Sequence, residues 1–322
     1  MNEMKINEKR IFITGGAGFI GSALVGRLLE TNQITVYDNF SRDSLKEKSY
    51  RNHPNLTVVE GNILDSNLLN EAIQGSDLVI HCAAIAGIDT VIKSPVTTMQ
   101  VNLIGSANLM EAASKVKSCK RIICFSTSEV FGQQAFRSSE TDNPIIGQVG
   151  EARWTYAVSK LAEEHLAMAY YQEKQLPITI VRPFNIYGPG QVGEGALRTF
   201  VIRALQNYPI EIHGDGTQIR AWCYIDDIID GVLLAMTHQR AIGESFNIGN
   251  QKAVMTIFGL ANTVVRVLNS NSPIIFTQKN YADVELRVPL VRKAKEILGF
   301  EAKIDLDEGI CRTADFFRKQ MK

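Results

Sequence analysis

The chain has 322 residues, enough to bury a large core in one large domain or two closely packed ones. Its 34 basic and 34 acidic residues balance, so its charge gives no support for a nucleic-acid partner or an anionic membrane surface. The apolar runs are too short to span a membrane, and the polar N-terminus lacks the apolar core of a signal peptide. The five cysteines lack metal-type spacing, so we expect free thiols in a cytoplasmic protein and no metal site.

The first predicted unit is a strand, a glycine-rich turn, a helix and a second strand. Arg10–Thr14 is β-branched and aromatic, which predicts a buried strand that ends at glycines. Phe19–Leu29 predicts a helix, and Ile34–Tyr37 predicts a second strand that ends at Asp38. Glycines let the backbone approach a pyrophosphate at the helix N-terminus, and an acid about 20 residues further on accepts from a ribose hydroxyl. Since Asp38 would repel a 2′-phosphate, the pattern predicts NAD rather than NADP as cofactor.

Four more short apolar strands follow, and helices separate them. The strands are predicted at Leu56–Val59, Leu78–Cys82, Arg121–Ser126 and Ile178–Arg182. The helices are predicted at Ser66–Gln74, Val96–Val116 and Thr155–Lys174. This alternation is typical of an α/β protein whose parallel sheet is covered by helices on both faces. We therefore predict a Rossmann doubly wound parallel sheet, which forms an NAD-binding domain in residues 1–182.

The pattern changes after Pro183, where glycine, proline and asparagine become frequent. Residues 183–322 are expected to form a smaller C-terminal α/β lobe that binds the substrate and packs directly on the first domain. A segment such as 244–262, with a short strand at Ser245–Ile248, is expected to return to the first sheet. Helices are predicted at Ala196–Gln206, Ile228–Met236, Ile257–Leu268 and Leu306–Phe317.

Candidate catalytic residues follow the fifth strand and open the next helix. Ser126, Thr127, Ser128 and Glu129 end the strand, where ligands of such sheets bind. Tyr156 and Lys160 are four residues apart, so they share one helix face. A nearby ammonium and a positive nicotinamide would lower the pKa of the phenol, which is otherwise about 10, and allow it to act as a base. Such a pair on its own is most often a surface pair, but the dinucleotide turn upstream favours a catalytic role.

Together these motifs resemble the extended short-chain dehydrogenase/reductases that act on nucleotide sugars. The similarity covers nearly the whole chain. It rests on the glycine turn, the HxAA stretch at His81, the segment 126–132, Tyr156-x-x-x-Lys160 and the segment from Arg182 to Pro189. The resemblance implies an enzyme that holds NAD, oxidises the sugar at C4 and acts on the 4-keto sugar. It also implies a homodimer built from the two long helices, Val96–Val116 and Thr155–Lys174.

The resemblance also assigns residues to each ligand. For NAD it implies Gly15, Gly18, Phe19, Ile20, Gly21, Asp38, Asn39, Asn62, Ile63, Ala83, Ala84, Asn102, Ser126, Tyr156, Lys160 and Pro183. For the nucleotide sugar it implies Ser128, Asn185, Arg220 and Arg287, the arginines because their forked side chains suit phosphate. Two positions depart from the family pattern. Asn62 stands where an Asp is usual, which changes the donors near the adenine, and Leu290 stands where relatives often have an Asp.

The triplet Thr127-Ser128-Glu129 favours one reaction within this family. Sugar 4,6-dehydratases usually have Asp where Ser128 lies, and simple 4-epimerases usually lack a carboxylate at Glu129. Thr-Ser-Glu is similar to the UDP-glucuronate decarboxylases, and Arg153-Trp154-Thr155-Tyr156 is similar to a bacterial branch of them. A carboxylate near C5 also fits a 4-epimerase or a dehydratase, and the segment 190–195 is unlike the basic loop expected in decarboxylases. A dinucleotide-binding sensor without activity is a further alternative, although such proteins typically lose the Tyr or the Lys.

Overall fold

The computed structural model describes residues 4–278 and 284–321. Its strands are β1 (Arg10–Thr14), β2 (Gln33–Asp38), β3 (Leu56–Glu60), β4 (Leu78–His81), β5 (Arg121–Phe125), β6 (Gln134–Ser138), β7 (Ile178–Pro183), β8 (Ile186–Tyr187), β9 (Ile210–His213), β10 (Ile219–Ala221), β11 (Cys223–Tyr224), β12 (Glu244–Ile248), β13 (Val254–Thr256), β14 (Ile274–Thr277) and β15 (Leu286–Pro289). Its α-helices are α1 (Phe19–Leu28), α2 (Ser66–Ala72), α3 (Ile88–Lys93), α4 (Pro95–Met99), α5 (Gly105–Ser114), α6 (Thr155–Lys174), α7 (Ala196–Leu205), α8 (Ile225–Thr237), α9 (Ile257–Leu268) and α10 (Leu306–Gln320).

The largest sheet of the described residues has seven parallel strands in the order β12-β7-β5-β4-β1-β2-β3. Central strand β1 pairs with β2 on one side and with β4 on the other. The strand order reverses between β1 and β4, so a crevice opens beyond their carboxyl ends, where ligands of such sheets bind. The predicted α/β class with a doubly wound parallel sheet is confirmed.

Each face of this sheet is covered by its own helices. Alternate residues of β1 point to opposite faces, so Ile13 lies in one buried apolar cluster and Phe12 lies in the other. Helices α1 and α8 contribute to the first cluster, and α2, α5 and α6 contribute to the second. Burial of each such side chain contributes about 1.5–3 kcal/mol. The sheet therefore provides a rigid base for side chains at its carboxyl edge.

The helix prediction for Val96–Val116 needs correction. Helix α4 begins one residue earlier, at Pro95, and a π-helical turn at Gln100–Ile104 separates it from α5. Proline is favourable at the first position of a helix because its missing N–H needs no partner there. Helix α8 begins three residues before the prediction, because Asp226 and Asp227 stabilise its first turn. Helix α3 was not predicted.

A second sheet joins distant parts of the chain and was also not predicted. Its strand order is β13-β10-β15-β6, and β6 comes from the stretch between β5 and α6. Conversely, the later part of the chain supplies β12, which pairs in parallel with β7 at the edge of the large sheet. The chain after Pro183 and the chain before it thus each contribute a strand to the other's sheet. Among the described residues, no helix combines the length and the apolar composition that a membrane span requires.

Candidate active site

The glycine turn after β1 leaves no room for side chains. Gly15 has a φ of +68°, and a Cβ there would lie 2.5 Å from the backbone nitrogen of Ala83. A Cβ on Gly21 would lie 2.3 Å from the carbonyl oxygen of Gly15, because α1 packs tightly on the turn. Gly18 precedes α1 without a side-chain cap, so the helix begins with bare backbone N–H groups. Phe19 and Ile20 form the first turn and pack against the core.

Asp38 ends β2 beside this turn and is fixed by two backbone N–H groups. One oxygen, Oδ2, accepts from Ala17 at 2.9 Å, and the other, Oδ1, accepts from Phe40 at 2.8 Å. Burial raises the pKa of the carboxyl, and these two donors lower it in part. Each oxygen keeps a further lone pair for a hydroxyl donor. Neighbouring Asn39 is exposed and accepts from the backbone of Ser41.

The residues after β3 and β4 line the crevice and are held by hydrogen bonds and packing within the protein. The exposed Asn62 accepts from Leu64 N–H, and Ile63 is buried against Gly105. Ala83 and Ala84 follow β4, and Ala83 lies against Gly15. Buried Asn102 accepts from Ile85 N–H at 2.8 Å and donates to the Ile85 carbonyl and to Ser159. Its amide therefore fixes the loop after β4 rather than pointing at a ligand.

Tyr156 lies at the start of α6, next to the residues that follow β5. The Thr127 hydroxyl hydrogen bonds to the phenol, and it also accepts from the backbone N–H of Glu129. Ser128 is buried, and Ser126 is 5% exposed with no hydrogen-bond partner for its hydroxyl in the described part of the chain. Pro183 ends β7 alongside. The structure thus brings the predicted hydroxyls and the phenol together at the carboxyl edge of the sheet.

The phenol is not activated in the protein alone. Burial raises the pKa of Tyr156, and the negative charge of Glu129 raises it further, whereas the Thr127 hydrogen bond lowers it in part. Lys160 does not offset this effect, because its ammonium forms a buried ion pair with Glu163. That the ammonium and the nicotinamide together stabilise the phenolate stays a prediction, and the structure adds that the ammonium is shared with Glu163. Tyr156 is neutral at physiological pH until another positive group, such as the nicotinamide, is present.

Glu129 lies between two arginines. Its Oε2 is 2.7 Å from Arg153, and its Oε1 is 3.3 Å from Arg287. Burial opposes ionisation, but Arg287 and Arg153 outweigh it and hold the pKa of the carboxyl below its usual value of 4.5. Glu129 is therefore an anion at neutral pH, which accepts hydrogen bonds and does not donate them. Glu129 and Arg287 both act electrostatically on Tyr156, and Arg153 pairs with the same carboxylate.

The other predicted substrate residues are Arg220, on β10 of the second sheet, and Asn185, in the turn between β7 and β8. Arg220 pairs in register with Arg287 on the neighbouring strand, and its guanidinium donates to the backbone carbonyls of Val284 and Glu285. Asn185 has a φ of +30° and donates to the carbonyl of Ala221. Both side chains are thus positioned by protein contacts at the base of the site.

The loop after β8 contacts the first turn of α3 and the loop after β2. The Glu194 carboxylate accepts from the N–H groups of Asp89 and Thr90, at 3.0 and 3.1 Å, and from the Thr90 hydroxyl at 2.9 Å. Ser44, in the loop after β2, donates to the carbonyl of Gly190 at 2.8 Å. The segment 190–195 therefore connects the C-terminal part of the chain to both sides of the crevice.

Sequence reasoning missed two charged residues of the site. Arg153 was noted only as part of a motif, although a cation just before Tyr156 and a carboxylate at Glu129 were a possible pair. Glu163 was missed, although its spacing of three residues from Lys160 places both on one face of α6.

The fold and the site together define a class of protein. A doubly wound parallel sheet, a glycine turn after the central strand and a Tyr–Lys pair at the start of α6 are those of an extended short-chain dehydrogenase/reductase. The chain belongs to the NAD dependent epimerase/dehydratase family, whose model matches residues 11–249. It is an enzyme of that family, and NAD is its cofactor.

Three relatives illustrate the similarity. The chain is 34% identical to UDP-N-acetyl-alpha-D-glucosaminuronate decarboxylase of Bacillus cytotoxicus, over 97% of this chain and 98% of that protein. It is 32% identical to UDP-glucuronic acid decarboxylase 5 of Arabidopsis thaliana, over 97% and 90% of the two chains. The crystal structure of UDP-glucuronic acid 4-epimerase from Bacillus cereus, in complex with UDP-glucuronic acid and NAD, superimposes with a TM-score of 0.87. It is 30% identical, and the match covers 97% of this chain and 99% of that one.

The residues present fit NAD. The turn at Gly15 has no space for a side chain, the start of α1 offers free N–H groups, and Asp38 keeps lone pairs for a ribose. The buried Ser126 hydroxyl has no partner among the described residues, so it is available to a ligand.

Proposed function

We propose that this enzyme decarboxylates a nucleotide-linked uronic acid, most simply UDP-glucuronate or its N-acetylamino analogue. The observation that carries the proposal is Glu129, held between Arg153 and Arg287 beside Tyr156. Guanidinium groups at this point suit the carboxylate that a uronic acid has on C5, next to the carbon to be oxidised. The relatives named as decarboxylases support the same substrate class.

Tyr156 is the proposed base. Once ionised, its phenolate takes the proton of the C4 hydroxyl, and the Thr127 hydroxyl holds both groups in line. NAD, when bound, accepts the hydride from C4 and later returns it. We propose that NAD is held by the glycine turn, Asp38, Ser126 and Lys160, together with the other residues that the resemblance assigns. Asn39, Asn62, Ile63, Asn102 and Pro183 would act mainly by shaping the crevice.

The second step follows from the chemistry of a β-keto acid. With a ketone at C4, the C5–C6 bond breaks, its electron pair moves into the C4 enolate, and carbon dioxide leaves. A proton from solvent water then adds at C5, and Tyr156 gives its proton back to the C4 oxygen when C4 is reduced. Arg153 and Arg287 would hold the carboxylate until the bond breaks. Because Glu129 is ionised, it would orient these arginines and would not supply the proton at C5. Ser128, Asn185 and Arg220 would bind the rest of the nucleotide sugar.

A 4-epimerase is the second candidate. Glu194 makes the segment 190–195 acidic where decarboxylases are expected to be basic, and the similar Bacillus cereus protein is a 4-epimerase. In that case the carboxylate would remain on the sugar and the 4-keto sugar would rotate before reduction.

A substrate panel tests the proposal. The purified enzyme is incubated with UDP-glucuronate, UDP-N-acetylglucosaminuronate, UDP-glucose and UDP-N-acetylglucosamine, and products are read by mass spectrometry and proton NMR. Loss of carbon dioxide from a uronate supports the proposal. An unchanged mass with inverted C4 would favour the epimerase, and loss of water would favour a dehydratase.

We also propose a homodimer and a cytoplasmic location. Val96, Ile104 and Val158, on the two long helical stretches, expose 69%, 49% and 41% of their surface, as expected for a covered face. The cysteines in the described part of the chain are all free, which fits a reducing compartment. Light scattering that reports a monomer would contradict the dimer.

A further inference from the structure

A buried ion pair lies on α6, in the turns that follow the candidate base Tyr156. The Lys160 ammonium contacts the Glu163 carboxylate, and each side chain is only 2% exposed. Lysine and glutamate are almost never this buried unless paired, because an isolated charge in the interior loses its hydration. The pair lies one helical turn after Tyr156, and Glu163 is one of the groups that raise the pKa of the phenol.

A chain of hydrogen bonds runs from the end of β1 to Ser106, beside Glu163. Thr14, the last residue of β1, is 2.7 Å from His81 Nδ1, and His81 Nε2 is 2.9 Å from the Ser106 hydroxyl. Ser106 in turn faces the Glu163 carboxylate. Burial, together with Lys160, lowers the pKa of His81 to about 3, so the imidazole is a neutral and permanent bridge. This bridge therefore adds no charge beside Glu163, and Lys160 is the hydrogen-bond partner of the Glu163 carboxylate among the described residues.

Lys160 has unused hydrogen-bonding capacity. An ammonium has three N–H donors, and within the described residues Glu163 is the hydrogen-bond partner of Lys160. The remaining donors are available to a ligand beside Tyr156. A flexible four-carbon side chain gives a defined direction to these donors only if something anchors it. Glu163 is that anchor.

We propose that Glu163 is a positioning residue, which holds the Lys160 ammonium so that its remaining N–H groups point to the hydroxyls of the NAD ribose. This inference rests on the proposed role of Lys160 as a cofactor contact. Glu163 acts through Lys160 and touches neither NAD nor the sugar. Without it, the ammonium would be a buried charge without a partner and would lose its orientation.

The adjacent Glu164 provides a matched control. It is also a buried carboxylate of α6, but it pairs with Arg182, at 2.6 and 2.8 Å. Loss of Glu164 removes an ion pair of the same helix at a similar depth. It does not remove the anchor of Lys160, so it separates general destabilisation from the proposed effect.

A double-mutant cycle on NAD affinity tests the proposal. Glu163→Gln is combined with Lys160→Met, and the Kd for NAD is measured by calorimetry on folded protein freed of copurified cofactor. Glu163→Gln should weaken NAD about tenfold in the wild-type background and by less than about twofold when Lys160 is already Met. Glu164→Gln should change the Kd by the same factor in both backgrounds. If Glu163→Gln does not fold, Glu163→Ala takes its place in the cycle.

The results separate this inference from the proposed function. Equal losses in both backgrounds would show that Glu163 is merely structural and would overturn the inference alone. Failure of the wild-type protein to bind NAD would overturn both. A wild-type protein that binds NAD but turns over no uronate would count against the proposed function, and the cycle would still decide the role of Glu163.

Discussion

The glycine turn gives the most direct prediction, because the space at Gly21 is defined by backbone atoms. A Cβ there would lie 2.3 Å from the carbonyl oxygen of Gly15 and 2.6 Å from the Cα of Gly16, whereas real Cβ contacts essentially never fall below 3.0 Å. Neither obstacle is a side chain that can rotate away. In Gly21→Ala, α1 must therefore move away from the turn by roughly an ångström, the deficit between these distances and normal contact.

Two consequences follow from that displacement. Overpacking costs about 1–3 kcal/mol, which for a protein of 322 residues lowers the Tm by roughly 1.5–4.5 °C. The N–H groups at the start of α1 also lose their alignment, so we expect NAD affinity to fall by about ten- to a hundredfold. Calorimetry gives the Tm, and titration with NAD gives the Kd.

Gly18→Ala is the control for stability. Its Cβ would lie 3.3 Å from the Gly15 carbonyl oxygen, a contact that a shift of a few tenths of an ångström relieves. The Tm of Gly18→Ala should stay within about 1 °C of the wild-type value, as for a substitution without a core clash. A Gly21→Ala protein with wild-type Tm and NAD affinity would refute the steric reasoning.

Three further predictions concern charged and ionisable groups of the site. Tyr156→Phe should lower turnover by about 10²–10⁴-fold, the usual contribution of a general base, and should change NAD affinity by less than about threefold. Glu129→Gln should still oxidise C4, seen as reduced nicotinamide in the near ultraviolet, but should release carbon dioxide about a hundredfold more slowly, because Arg153 and Arg287 lose the anion that orients them. In the wild-type protein, ionised Glu129 adds stability that is complete above its ordinary pKa of 4.5 and is lost as the pH falls through its lower folded value, and acid unfolding of Glu129→Gln should lack this dependence. Glu194→Ala should release NAD about tenfold faster, since three hydrogen bonds to its carboxylate disappear.

Each of these has an outcome that contradicts it. Retained turnover in Tyr156→Phe would assign the base elsewhere. Normal release of carbon dioxide by Glu129→Gln would remove this carboxylate from the mechanism. An unchanged rate of NAD release in Glu194→Ala, with the surface variant Glu301→Ala as control, would show that the segment 190–195 does not retain the cofactor.

The large sheet could be predicted from the sequence because its signals are local. Strand β1 and helix α6 match the predicted ranges Arg10–Thr14 and Thr155–Lys174, since apolar runs and helical periodicity need no distant partner. The second sheet could not be predicted in this way. Strands β10 and β15 have only three and four residues, and β6 pairs with β15 across about 150 residues of chain, so local propensity carries little information about them.

In the site too, residues within local motifs could be predicted, whereas their partners from distant parts of the chain could not. Tyr156, Thr127 and Glu129 were recognised because their neighbours in sequence form a motif. Arg287, which helps to keep Glu129 ionised, comes from β15, far away in sequence. The polar residues near Glu163, Ser106 and His81, come from α5 and β4. Lys160 was predicted to stabilise the Tyr156 phenolate together with the nicotinamide and to bind NAD, and its pairing with Glu163 depends on burial that a sequence does not show.

The exchange of strands limits how proteins of this architecture can be recombined. A chimaera that joined residues 1–182 of this chain to the remainder of a relative would bring a foreign β12 against β7 and a foreign β15 against β6. Both strand pairings would need compatible side chains at the same time. New specificity in such a chain is therefore reached more readily through point substitutions in the loops around the crevice than through wholesale exchange of its second half.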